Sequence, residues 1–170
     1  MRKALFSHDD GTPNSLLLGI FDASSTPASR LAKGRAALAA GARIDAPLFD
    51  DGTTMLMSAC ECGYTDRLEL LIELGADPNA RRSDGGAPLW CACAEHGQHQ
   101  AAMVILLGHG ARIEGAGPGG LDALDELLRR RASGAPDLFG SIDERIAILE
   151  AGKLAQLAGG ALPARAPPRL

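Results

Sequence analysis

Aromatic residues make up only 4% of this 170-residue chain, with one Trp, one Tyr and four Phe. That supply is too thin for a sandwich or barrel, whose strands draw on aromatic and β-branched side chains. Positive charge is also short: 17 Lys and Arg stand against 21 Asp and Glu, a net charge of −4. Phosphate-driven affinity needs a basic face, so the composition argues against nucleic acid as a partner. No run is both apolar and long enough to cross a bilayer, and Met1 to Asp10 contains no apolar region of the signal type. A cytoplasmic protein without membrane association is expected, with export by a route that reads no cleavable signal left open.

Catalytic signatures are missing too. There is no GxSxG elbow, no GxxxxGK phosphate loop and no HExxH pair. Gly117-Pro-Gly-Gly120 reads as a connector at a hairpin and not as a glycine turn between a strand and a helix. Asp50 and Asp51 sit together on a loop tip with no partner base, which reads as a solvated turn. The expectation is a protein that is not an enzyme and carries no cofactor.

What the chain does have is repetition. Gly52-Thr-Thr-Met-Leu-Met-Ser-Ala59 leads to Leu70-Leu-Ile-Glu-Leu-Gly-Ala76, and Gly85-Gly-Ala-Pro-Leu-Trp-Cys-Ala92 leads to Ile105-Leu-Leu-Gly-His-Gly-Ala111. Thr54 and Ala87 hold equivalent places 33 residues apart (87 − 54). A Gly-Ala pair closes an apolar helical run at Gly41, Gly75 and Gly110, with a weaker echo at Gly152. Glycine accepts the left-handed conformation that ends a helix, so the marker has a backbone cause. Behind it, Gly41-Ala-Arg-Ile-Asp-Ala46, Gly75-Ala-Asp-Pro-Asn-Ala80 and Gly110-Ala-Arg-Ile-Glu-Gly115 read as one hairpin-like connector used three times.

With its 33-residue period, the Pro88-Leu89 and Ala92 remnant of a T-P-L-H-x-A pattern, and Gly63-Tyr64 between paired helices, the segment Gly41 to Gly115 resembles the ankyrin-repeat family. The resemblance implies an all-α solenoid of about four helix-turn-helix units joined by hairpin-like connectors. The units fall near 12–46, 47–80, 81–115 and 116–152, the first and last serving as caps, within a domain spanning 1–152. The first lacks the T-P-L-H stretch, and the last carries an insertion around Gly134 to Gly140. Residues 153–170, closing on the proline-rich Ala161 to Leu170, are expected to form a largely disordered tail.

Inner helices are expected near Ser15–Ala23, Thr54–Cys62, Ala87–Glu95 and Asp122–Arg131. Outer helices are expected near Pro27–Ala40, Thr65–Leu74, Gln98–Leu107 and Ile142–Glu150. Thr26 before Pro27 marks a helix start, and Ser141 with Glu144 a capping box.

Four cysteines form two CxC pairs, Cys60/Cys62 and Cys91/Cys93. On a helix, residues two apart point about 200° away from each other, so neither pair can share an ion while the helix persists. Cys60 and Cys93 fall where the family has a small residue in tightly packed helices, and there cysteine acts as a compact apolar group. The only ligand cluster worth weighing is Cys93, His96 and His99, the expectation being no metal.

In ankyrin proteins partners touch the hairpin tips and the exposed inner-helix face. By position this resemblance implies Asp50, Asp51 and Thr53 at one tip, and Ser83, Asp84 and Gly86 at the next. The matching inner-helix positions are Met57, Glu61 and Cys62, then Trp90, Ala94 and Glu95, with Arg129 and Arg130 ending the last inner helix. Two readings stand beside each other for Trp90, a half-buried filler between units or an anchor for a partner. The arginines read equally as helix-dipole caps. Arg81 and Arg82 are expected to stay solvated.

The groove is therefore expected to be acidic at its middle and to bind one protein, with a basic surface, to a chain that is monomeric when free. Occlusion of that partner is the implied mechanism. The Ala, Leu, Arg and Gly bias resembles a GC-rich bacterial genome, and small bacterial ankyrin proteins include immunity proteins that neutralise a cognate toxin. A secreted host-directed effector, a scaffold, and a metal or thiol redox role remain as alternatives.

Overall fold

A computed structural model of the chain describes residues 3–4, 11–93, 99–134 and 142–159. Among these residues lie eight α-helices, with two short 3-10 turns and an isolated bridge in place of any extended strand. They are α1 (Pro13–Leu17), α2 (Pro27–Ala39), α3 (Met55–Cys62), α4 (Thr65–Glu73), α5 (Pro88–Cys93), α6 (Gln100–Gly108), α7 (Ala123–Ala132) and α8 (Ile142–Leu157).

The odd-numbered helices form an inner row and the even-numbered ones an outer row. Each inner helix packs on the outer helix that follows it, and successive units stack α3 on α5 and α5 on α7 in one row, α4 on α6 and α6 on α8 in the other. The core between the rows is aliphatic and small: Leu56, Leu71, Leu89, Met103, Leu106 and Ile113 are all buried, with Ala59 and Ala92 where the inner helices meet. Small residues let the helices approach closely, which is why so few aromatics suffice.

The Gly-Ala marker is a helix stop with its hydrogen bonds in place. At φ +96° and +95°, Gly41 and Gly75 let the next residue's N–H reach back five positions, Ala42 to Ala37 O and Ala76 to Leu71 O, both at 3.0 Å. Ala111 repeats the bond to Leu106 O at 2.9 Å. Each bond satisfies a helix-end carbonyl that would otherwise be orphaned.

Gly152 departs from this pattern. It lies inside α8, where a Cβ would fall 3.0 Å from Leu107 Cδ1 and 3.1 Å from Ile113 Cδ1, so its glycine serves close packing and not termination. The stop comes instead at Gly159, φ +75°. The helix therefore runs through Leu157, and the beginning of the expected tail at 153 is helical. Residues 160–170, the insertion at 135–141 with Ser141, and residues 94–98 with Ala94, Glu95 and His96 lie outside the described residues.

The first unit is a cap with local fixings. Its inner helix is shorter than expected and passes into a 3-10 turn at Leu18–Phe21. Thr26 caps α2 by accepting from Ser29 N–H at 3.2 Å. Arg30, nearly buried, ties the cap to the second unit through Asp66 at 2.7 Å.

Candidate partner-binding surface

Hairpin tips from successive units hydrogen-bond to one another in a row. Asp50 N–H donates to Lys3 O at 2.9 Å, Ser83 N–H to Asp51 O at 2.8 Å, and Gly119 N–H to Asp84 O at 2.9 Å. The carboxylates at the bends brace the turns from within: Asp51 accepts from Thr53 N–H at 2.9 Å and Asp84 from Gly86 N–H at 2.8 Å. These are the local side-chain bonds that make Asp a turn residue. Asp50 and Asp84 are exposed and Asp51 is half-buried.

Four of the residues placed on the surface by position are buried, Gly86 among them. Thr53 is fully buried, and its carbonyl closes the hairpin by accepting from Leu48 N–H at 2.7 Å. Met57 is fully buried as well, and its sulfur accepts from Thr54 N–H at 3.5 Å while Thr54 Oγ1 accepts from Met57 N–H at 3.4 Å. The two bonds tie the start of α3 to its own first turn. Trp90 is only 5% exposed. Its six-membered ring lies on Gly117 of the next hairpin, where a Cβ would fall 2.4 Å from Trp90 Cε3. It is a wedge between units and does not reach the concave surface.

The acidic middle also needs correcting. Arg82 is folded inward with its side chain 8% exposed, between Glu61 at 3.8 Å and Asp84 at 2.8 Å. Arg82 is therefore an internal tie and not a solvated side chain, and it neutralises the groove floor at Glu61. Its hydrogen bond holds the Asp84 carboxyl below the usual carboxylate range. Arg81 stays exposed, as expected, while donating to Gly85 O at 3.0 Å and to Gly115 O. What acidity the surface presents stands on the tips.

At the other end Arg129 and Arg130 share Glu126. Arg129 Nη2 reaches Oε1 at 2.7 Å and Nε reaches Oε2 at 2.9 Å, while Arg130 Nε reaches Oε1 at 2.8 Å. Hydrogen bonding from Arg129 lowers the Glu126 pKa. The pair stabilises α7 internally, and Arg129 still projects into solvent with its side chain 69% exposed.

Of the weighed metal ligands Cys93 and His99 are described, while His96 lies outside the described residues. Cys93 is fully buried and burial pushes its thiol up to about 12, far from the thiolate that binds metal. Cys60 is raised in the same way by burial. The His99 ring packs over the glycine that ends α3, where a Cβ on Gly63 would fall 2.5 Å from His99 Cε1. Among the described residues no three His, Cys, Asp or Glu side chains are placed to hold an ion.

Two features were not singled out from the sequence. Arg145, buried on α8, donates to Cys93 O at 2.9 Å and links the third and fourth units; a lone arginine in an amphipathic helix gives no sign of this. Asp45 and Asn79 bond backbone N–H groups of the following unit. Their fixed place four residues after the connector glycine was the available signal.

Stacked helix pairs, tip rows and glycine stops define a repeat solenoid. The ankyrin-repeat family, in three copies, matches residues 29–116, and the chain belongs to that family. It is 34% identical over 126 residues to ankyrin repeat domain-containing protein 63 of Homo sapiens, covering 72% of this chain and 31% of that protein. It is 39% identical over 88 residues to the ADP-ribosylation factor GTPase-activating protein AGD4 of Arabidopsis thaliana, covering 52% of this chain and 11% of that protein. The chain thus spans under a third of the length of either relative. Ankyrin repeats are protein–protein interaction modules and typically not enzymes. No described helix is long and apolar enough to cross a membrane.

Proposed function

We propose that this chain binds one protein partner along its acidic tip row and the concave face behind it, and neutralises the partner by covering its working surface. The observation that carries the reading is the exposure of Asp50 and Asp84 on neighbouring tips locked together through Ser83 and Asp51. A surface already ordered loses little entropy on binding. Its charge favours a basic partner and speeds encounter with it. Glu61 supports the tips from beneath through Arg82, and Arg129 and Arg130 offer a second contact of opposite sign at the far end. A cytoplasmic immunity protein, monomeric when free and directed against a cognate bacterial toxin, is the specific role this reading favours, on the strength of residue composition.

The test is a titration of the partner recovered by affinity capture, comparing wild type with Asp50→Lys plus Asp84→Asn at low and high salt. Asparagine keeps the acceptor that Asp84 offers to Gly86 and Arg82, so the hairpin is preserved. Affinity about tenfold weaker, with less salt dependence, is the expected result. Equal affinity in the folded variant would show that the tips are not the contact. A recovered toxin supports the immunity role, whereas many weak partners in place of one tight one would replace it with a scaffold.

A further inference from the structure

The outermost helices each turn one side to the stack and the other away from it. On α2, Arg30 and Arg35 reach Asp66 and Glu73 of the second unit at 2.7 Å and 3.3 Å, and Gly34 lies against the Leu74 side chain. The opposite side of α2, with Lys33 and Ala36, borders a groove of about 360 Å³ that it shares with Ser15, Leu16 and Gly19. Leu16 is 53% exposed at its edge.

At the other end, Arg145, Gly152 and Gln156 of α8 face the third unit, through Cys93 O, Leu107 and Ala111 O. At about 100° per residue, the side away from that unit carries Ala147, Ala151 and Leu154, all exposed. Leu154 at 68% and Leu157 at 77% are the most exposed large apolar side chains among the described residues. Apolar surface gathered in this way marks a contact site.

The stack itself shows how its outer helices meet. A leucine of one unit seats on a helical glycine of its neighbour, Leu74 on Gly34 and Leu107 on Gly152. The groove of the first unit offers a seat of the same kind, lined by Gly19, Ala36 and Ala37. Charge agrees with the match: Glu150 is exposed one helical turn before Leu154, and Lys33, held by Asp22 at 3.1 Å, keeps its side chain 42% exposed at the groove.

We propose that the α8 face of one chain docks in the groove between α1 and α2 of a second copy, with Leu154 and Leu157 entering the groove and Glu150 meeting Lys33. The copies then stack head to tail. Such a contact joins two different surfaces and does not close on itself, so it builds rows. One pair of helix faces is smaller than the about 800 Å² per partner of a stable interface, so the contact is weak and the dilute chain is monomeric. Neither face includes a hairpin tip, and the proposal does not depend on where another protein binds.

Sedimentation equilibrium of the whole chain tests it. The weight-average mass should rise at least about twofold between about 10 μM and about 1 mM protein. Leu154→Gln plus Leu157→Gln spoils one face and Ala36→Gln, which fills the groove, spoils the other. Each variant should stay monomeric over that range with the thermal midpoint of wild type, because the substituted positions are exposed. An equimolar mixture keeps one intact face from each chain, so it should form pairs of twice the monomer mass and grow no further. A wild-type mass that does not change with concentration, or variants that associate like wild type, would overturn the proposal. A mixture that stays monomeric would overturn it too, assigning association of the wild type to a symmetric dimer.

Discussion

The tips and the inner helices of the second and third units were expected to share one job, and they divide it. Asp50 and Asp84 stand in solvent on hydrogen-bonded turns, while Met57 and Trp90, one helical turn further in, are buried between units. A tip can change its outward side chain without disturbing the row, because the row is built from backbone donors and acceptors. An inner-helix position has no such freedom. Its side chain must fill the space between hairpins.

The strongest challenge to this division is Trp90→Ala. Removing the ring from Gly117 leaves a cavity, and chemical unfolding should show a loss of about 4 kcal/mol. A loss below about 1 kcal/mol would return Trp90 to the surface role. Next in size is Arg82→Ala, which removes the nearly buried guanidinium between Glu61 and Asp84 and should cost about 3 kcal/mol. Adding Glu61→Gln should recover part of it, and additivity in that double-mutant cycle would mean that the two groups are not coupled.

Acid should then act through the same tie. The folded-state pKa values of Asp84 and Glu126 lie below their unfolded ones. Their contribution is present above the unfolded carboxylate range of about 4 and is lost as pH falls through the lower folded value. Thermal midpoints measured down that range should fall, and less steeply in Asp84→Asn.

Asp45 carries the opposite sign, since burial raises its pKa. Its folded state prefers the proton, so that preference favours folding in acid and is lost as pH rises through the raised value. Asp45→Asn keeps an acceptor for Asp77 and removes the charge. A small rise in thermal midpoint at neutral pH, shrinking in acid, is expected, and a fall would show that the bond to Asp77 needs the charge. The smallest effect belongs to Asp50→Lys plus Asp84→Asn, whose stability should stay within about 0.5 kcal/mol of wild type. A larger loss would blur the distinction between the tips and the helices behind them.

Much of the fold was legible because its signals are backbone signals. Gly41, Gly75 and Gly110 marked real helix stops, and α2, α3, α4 and α6 fall within two residues of their expected bounds. Gly152 misled because a glycine chosen for close packing and one chosen for positive φ are the same letter. Surface placement was legible at Asp50, Asp84 and Arg129, whose side chains bond within their own turn or helix or face solvent and so are set locally. Thr53, Met57, Trp90 and Glu61 depend on what the neighbouring unit brings. For Glu61 that is Arg82, 21 residues away (82 − 61), and no periodicity announces which way an arginine folds.

The bonds from Asp45 and Asn79 to the following connectors place their demands unevenly. Their donors are backbone N–H groups, so Asp77 and Arg112 can differ freely, and only Asp45 and Asn79, the acceptors four residues past Gly41 and Gly75, must match a partner. Neighbouring units therefore need no paired side chains at this seam. A unit lifted out or duplicated at its glycine would meet the same amide it left, so such a chain can change length without relearning how its pieces join.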